Sequence, residues 1–205
     1  MRMFARRLTQ LLVGLFLFGF AMGMLVRAAV GVEPWNVLSL GIEKHTGIPF
    51  GLLTNAIGAL VLLLWIPLGQ KPGLGTVLNV IMLGPAAEVA LAVIPHPTPW
   101  WWQVALFTAG LLLLGIAGGM YIGAGFGPGP RDGLMVGLHE RFGLPIWAAR
   151  TGLELVVLTA GWLLGGDLGL GTVAFALLIG PMLQFTVPYF TVAHTAVTHR
   201  EGVLA

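Results

Sequence analysis

The sequence predicts an all-α integral membrane protein of six transmembrane helices, arranged as a 3+3 inverted-topology repeat. Three observations carry this prediction. The 205-residue chain is 57% hydrophobic, with a mean hydropathy of +0.93, well above the level of soluble domains. Six apolar runs, at about 9–30, 49–68, 75–95, 104–125, 145–164 and 171–191, approach the ~20 residues that a helix needs to cross the hydrocarbon core. The chain also matches itself at an offset of 96 residues without a gap: Gly31, Pro34, Gly41, Gly47 and Pro49 fall on Gly127, Pro130, Gly137, Gly143 and Pro145.

The first run follows the basic segment MRMFARR, a pattern that also fits a signal peptide. An uncleaved first span is the better reading, because a similar run returns in mid-chain at 104–125. There Gly14, Gly19, Gly23 and Met24 fall on Gly110, Gly115, Gly119 and Met120. After the first span comes GVEPWNVLSLGIEKHTG (31–47), and after the fourth comes GPGPRDGLMVGLHERFG (127–143). Each stretch is too long for a tight turn and too short to cross. Proline at the first helical position and glycine just past the end mark each as a half-helix, about 18 Å long at 1.5 Å per residue. Trp35, Leu38 and Ile42 recur at helical spacing and give the first half-helix one buried face.

Spans three and six are both introduced by GLGTV, at 73–77 and 169–173, with Thr76 and Thr172 expected as helix N-caps. Repeat 1 therefore covers about 9–95 and repeat 2 about 104–191, within one membrane domain covering 1–205. Each repeat has three spans. Three is odd, so the second repeat enters from the opposite side, as in many secondary transporters.

Charge sets the orientation. With the N-terminus inside, Arg2, Arg6, Arg7, Lys71, Arg131, Arg141 and Arg200 face the cytoplasm, against Lys44 alone outside. Both termini are then cytoplasmic. All seven tryptophans fall near expected span ends, as an interfacial aromatic belt requires. Arg27, at the end of span one, can snorkel outward and marks no site.

Composition also excludes. No cysteines means no disulfides and no thiolate metal sites. A pI near 9.5 comes from scattered charges and forms no nucleic-acid patch. His45, His96, His139, His194 and His199 have no metal-ligating spacing. No nucleophile motif, phosphate loop or cofactor motif is present, so the chain is not expected to be an enzyme or to hold a cofactor or metal.

Ionisable groups inside spans mark functional positions by default, because each costs about 2.5–3.5 kcal/mol at the bilayer centre on insertion scales. Glu88, Arg150 and Glu154 are such groups. Arg150 and Glu154 lie one helical turn apart and can pair. Asn55 aligns with the polar Thr151, and Gln184 is the copy of Glu88. Arg131, at the start of the second half-helix, adds a guanidinium beside free N–H groups that suit an anion, while Asp132 complements the helix dipole. The expected substrate site is thus Asn55, Glu88, Arg131, Arg150, Glu154 and Gln184, with Glu88 or Glu154 carrying a coupling proton.

The phrases EPWNVLSLGIEKHTGIPFG, WIPLGQKPGLGTVLNVIMLGP, GPRDGLMVGLHERFGLP and GWLLGGDLGLGTVAFALLIGP resemble the bacterial YczE-like membrane proteins, relatives of the broader YitT group, over about residues 10–190. The resemblance implies an integral protein of the bacterial plasma membrane and carries over no reaction and no site residues. The functional expectation is a small-molecule secondary transporter or permease of unidentified substrate. The alternative is a membrane-embedded regulatory or scaffolding protein that meets a cytoplasmic partner through residues 130–143 and the tail THREGVLA. Oligomerisation is compatible with either reading.

Overall fold

A computed structural model describes residues 2–192. The tail THREGVLA, with Arg200, and the histidines at 194 and 199 lie outside the described residues. Among the described residues the chain forms α1 (Arg2–Ala28), α2 (Pro34–Thr46), α3 (Phe50–Leu68), α4 (Leu74–Val93), α5 (Trp100–Gly123), α6 (Pro130–Phe142), α7 (Ile146–Leu163) and α8 (Leu170–Phe190). Five of these, α1, α3, α4, α5 and α8, are long and apolar enough to cross a membrane. The chain is therefore a multi-pass helical membrane protein. The 18-residue α7 carries Arg150 and Glu154 and is not among the five. α2 and α6 have 13 residues each and are half-helices.

Later helices start where earlier ones did: Pro34 and Pro130, Phe50 and Ile146, Leu74 and Leu170 are each 96 residues apart. The local causes recur too. Pro34 and Pro130 open the half-helices, and Gly47 and Gly143 close them in the left-handed conformation, both at φ 69°. Pro49 and Pro145 precede α3 and α7. Thr76 and Thr172 are not the N-caps expected from the sequence. They lie three residues into α4 and α8, where each hydroxyl accepts the N–H of the true cap, Gly73 or Gly169. A glycine cap has no side chain to offer, so the threonine reaches back instead.

α1 and α5 run antiparallel through the centre. Gly14 meets the backbone of Tyr121, and Gly110 meets Met24 and Leu25. α4 lies parallel to α1, with Gly19 against Leu83 and Ala86 and Gly23 against Ala87 and Ala90. α8 lies parallel to α5 in the same way, with Gly115 against Met182 and Gly119 against Thr186. Small residues permit this backbone approach, which drives helix association where lipid removes the hydrophobic contribution. Around this four-helix core, α2 packs on α7 and α6 packs on α3, so each half-helix rests on a long helix of the other half.

One seam breaks the correspondence. α3 and α4 close on each other at Gly51 and Gly84. α7 and α8 lack that closure, and Gly152 and Gly180 have open space where a Cβ would stand. The copy of Gly51 is Trp147, whose side chain is too bulky for the same approach and is 73% exposed.

The aromatic belt needs correction. Trp100, Trp101, Trp102, Trp147 and Trp162 are exposed, but Trp35 and Trp65 are buried together with Ile57, Val61, Leu134 and Val157. The indole N–H of Trp65 donates to Pro130 O at 2.9 Å. A buried indole needs such a partner, and the start of α6 supplies it. Leu38 and Ile42 pack against the same cluster, so α2 does bury the face read from its spacing.

Candidate functional site: a polar cavity between two half-helices

The chain folds back at two equivalent points. After α1, Gly31 takes φ +132°, and after α5, Gly127 takes φ +113°. Side-chain-bearing residues rarely adopt these values. Each return is pinned by a backbone bond to the opposite half or its neighbour: Gly171 N–H donates to Val30 O at 3.0 Å, and Gly75 N–H donates to Phe126 O at 2.8 Å. The Thr76 hydroxyl adds a bond to Pro128 O at 2.7 Å. α2 and α6 consequently begin inside the bundle. Glu33, the N-cap of α2, is 7% exposed, and Asn36 is fully buried.

The two beginnings meet. The Arg131 guanidinium, on α6, forms an ion pair with Glu33, at α2. It also lies over the Trp35 indole, 5.1 Å from the ring centre. Asp132 Oδ2 accepts the hydroxyl of Tyr121, on α5, at 3.0 Å. On α7, Arg150 Nε donates to Glu154 Oε1 at 3.0 Å. These groups surround a cavity of about 140 Å³ that is walled by both halves of the chain. Thr54 and Asn79 add polar groups, and Phe18, Phe175 and Ile179 add apolar surface. Thr54 is 5% exposed, and its hydroxyl has no hydrogen-bond partner among the described residues.

Of the six site residues read from the sequence, Asn55, Arg131, Arg150 and Glu154 line this cavity. Two lie elsewhere. Glu88 Oε1 accepts Gly51 N–H at 2.6 Å, a donor that the first turn of α3 leaves free. Glu43 assists by accepting Phe50 N–H at 3.2 Å. Burial holds the Glu43 carboxyl above its ordinary range, the Phe50 bond opposes this, and the nearby Glu88 charge reinforces it. Gln184 is exposed, because α8 turns Met182, Leu183 and Thr186 toward α5 instead. Asn55 is also committed to structure. Its amide donates to Ile81 O, the carbonyl that Pro85 cannot bond within α4, and its oxygen accepts Gly84 N–H at 2.9 Å.

At the end of α1, Arg27 finds its partners. It reaches across to His96 and to Leu91 O, a carbonyl left free by the last turn of α4. Sequence reasoning missed Glu33, Tyr121, Thr54 and Asn79. Glu33 was legible as an acid directly before the proline that opens α2, the position of an N-cap. Nothing local marked the other three.

The chain matches the model of a family described as "Family of unknown function (DUF6198)" over residues 5–188. It belongs to that family. A Haemophilus influenzae relative, an "Uncharacterized protein", is 39% identical over 88% of this chain and 83% of its own length. The Bacillus subtilis "Uncharacterized membrane protein YczE" is 31% identical over 89% and 86%, as the quoted phrases led one to expect. A second Bacillus subtilis relative, "Uncharacterized protein YyaS", is 22% identical over 86% and 90%. No solved structure matches the chain.

Proposed function

We propose that this DUF6198 member is a secondary transporter of the bacterial plasma membrane, moving a small solute through the cavity between its two halves. In this reading α7 is the sixth crossing helix, the halves form a 3+3 inverted repeat, and both termini are cytoplasmic. The observation that carries the reading is the Glu33–Arg131 pair. Glu33 follows the outer end of α1 and Arg131 follows the inner end of α5. The two can touch only if both half-helices re-enter and present their N-termini to a shared central site, as broken helices do in transporters.

Other contacts support the same sidedness. Lys44 pairs with Asp167 at 2.7 Å, joining two segments assigned to the outside. Gln70 donates to Glu140 at 2.7 Å, and Arg7 donates to Ala124 O at 2.8 Å, joining segments assigned to the inside. Helix α7 tolerates its two charges because they neutralise each other beside the cavity. No step of this reading is catalytic.

The unequal seams supply the access mechanism. The α3–α4 seam is zipped at Gly51, Gly84, Asn55 and Glu88, toward the outer side. Its α7–α8 counterpart, toward the inner side, is open, and the Arg150 and Glu154 side chains there are 45% and 35% exposed. In this reading the open seam is the inward access path, and transport requires α7 and α8 to close while α3 and α4 part. The chain has no native cysteine, so Thr151→Cys with Gly180→Cys reports closure cleanly. Proteoliposomes carrying this variant are expected to move solute from a labelled panel of small amines, amino acids and carboxylates. Oxidation should form the disulfide and stop flux, and reductant should restore it. Undiminished flux with the disulfide fully formed, or no flux of any panel member by the unaltered protein, would remove the reading.

A further inference from the structure

The sequence alone suggested that Arg131 and the start of α6 receive an anion. The structure places the protein's own carboxylates there first. The N-terminus of α2 carries Glu33, and the N-terminus of α6 carries Asp132 in its first turn. Both cavity guanidiniums are committed, Arg131 to Glu33 and Arg150 to Glu154. Lining the cavity are three carboxylates, Glu33, Asp132 and Glu154, against two guanidiniums, Arg131 and Arg150. The carboxylate left over is Asp132. Among the described residues it forms no ion pair, its carboxylate's hydrogen-bond partner is the Tyr121 hydroxyl, and the Arg150 and Arg131 charges act on it from beyond pairing distance. Phe18, Tyr121 and Phe175 also line the cavity, and aromatic rings attract a cation over their faces, as Trp35 already does for Arg131. The Thr54 hydroxyl, nine-tenths buried on the cavity wall and without a partner among the described residues, is a hydrogen-bonding group still available to a ligand.

We infer that the cavity binds a small organic cation, a protonated amine on a compact apolar body, with Asp132 as its counter-charge and Thr54 as a second polar contact. This inference rests on the reading of the cavity as a solute site and names the class of solute. Size limits the body: about 140 Å³ is close to the ~150 Å³ engineered cavity that accommodates benzene, which corresponds to roughly six heavy atoms. The apolar part of the wall, with Phe18, Phe175 and Ile179, favours a branched hydrocarbon against it, because a hydroxyl desolvated there without a partner costs roughly 1–3 kcal/mol by mutational estimates.

The test uses three probes of one shape and different charge: isopentylamine, isopentanol and isovalerate. Binding to the purified full chain at neutral pH is read by calorimetry in detergent. The amine is protonated there, as a lysine side chain is. It is expected to bind more tightly than the alcohol, with isovalerate weakest. Asp132→Asn keeps an oxygen to accept the Tyr121 hydroxyl, so the fold survives, and should weaken amine binding by roughly tenfold or more. Thr54→Val removes an unpartnered hydroxyl at constant shape, so it should leave stability intact and weaken the amine by about threefold. Isovalerate binding as tightly as the amine, unchanged amine affinity in folded Asp132→Asn, or no binding of any probe would overturn the proposal. Because binding is measured without a membrane, amine binding with no flux in proteoliposomes would sink the transport reading and leave the ligand class standing.

Discussion

Replacing Arg131 by Met is expected to abolish solute flux and to destabilise the protein by about 3–5 kcal/mol, the usual cost of breaking a buried pair by removing one partner. Glu33 is 7% exposed and would be left charged and unpaired inside the bundle. The α2 dipole would stabilise its charge in part, but a helix terminus contributes only about 0.3–1 kcal/mol, up to ~2 in buried geometries. Desolvation therefore wins. Removing the other charge as well should reverse much of the loss. The double variant Glu33→Gln with Arg131→Met carries neither charge of the pair and should recover to within about 1–2 kcal/mol of the unaltered protein, since neutral replacement of a buried pair is often nearly neutral in stability. Thermal unfolding in detergent, run on both single variants and the double, reads the coupling directly. If the double variant is as unstable as the sum of the singles, the two residues do not act on each other. Flux should stay absent in the double variant, because the pair fixes where the two half-helices meet.

Gly23→Leu is expected to prevent assembly of a stable bundle. A Cβ at this position would stand 2.5 Å from Ala87 O and 2.7 Å from Ala90 Cβ, so backbone on α4 blocks it. Overpacking typically costs about 1–3 kcal/mol, and more where the opposing atoms cannot rotate away. Here they cannot. The same substitution at Gly180 gives the opposite outcome for folding. Among the described residues nothing lies within 4 Å of a Cβ there, and leucine improves helix propensity over glycine by about 0.8 kcal/mol. Gly180→Leu should therefore leave the melting temperature unchanged or slightly raised, while holding the α7–α8 seam apart and slowing transport. Size-exclusion profiles and melting curves of the two variants check the contrast. A monodisperse, normally stable Gly23→Leu protein would mean that α1 and α4 do not approach as closely as described.

Much of the architecture was legible because backbone requirements are written in glycine and proline. The half-helices read as 31–47 and 127–143 from their Gly and Pro pattern are α2, at Pro34–Thr46, and α6, at Pro130–Phe142. Hydropathy located the long helices to within a few residues, except at the start of α1. There the arginines hid a helix that begins at Arg2, seven residues before the expected apolar run, and Arg7 is held by the free carbonyls at the end of α5. The site was only half legible. A charge within an apolar run marks a need for a partner, and the sequence does not say whether that partner is a ligand or a helix end. Glu88 satisfies a helix end, while Glu154 satisfies Arg150 at the cavity. Tryptophan is ambiguous for the same reason: Trp100 faces outward, and Trp65 is spent on Pro130. The meeting of Glu33 and Arg131, 98 residues apart in sequence, depends on both returns of the chain at once, and no local pattern records it.

Transport through a shared central cavity requires the two halves to be threaded through the bilayer in opposite directions. Single cysteines placed at Lys44 and at Glu140, in a chain with none of its own, and labelled in intact cells with a membrane-impermeant maleimide, test this directly. Labelling at 44 from outside, with 140 labelled only after permeabilisation, is the expected result. Equal labelling of both positions from the same side would contradict it.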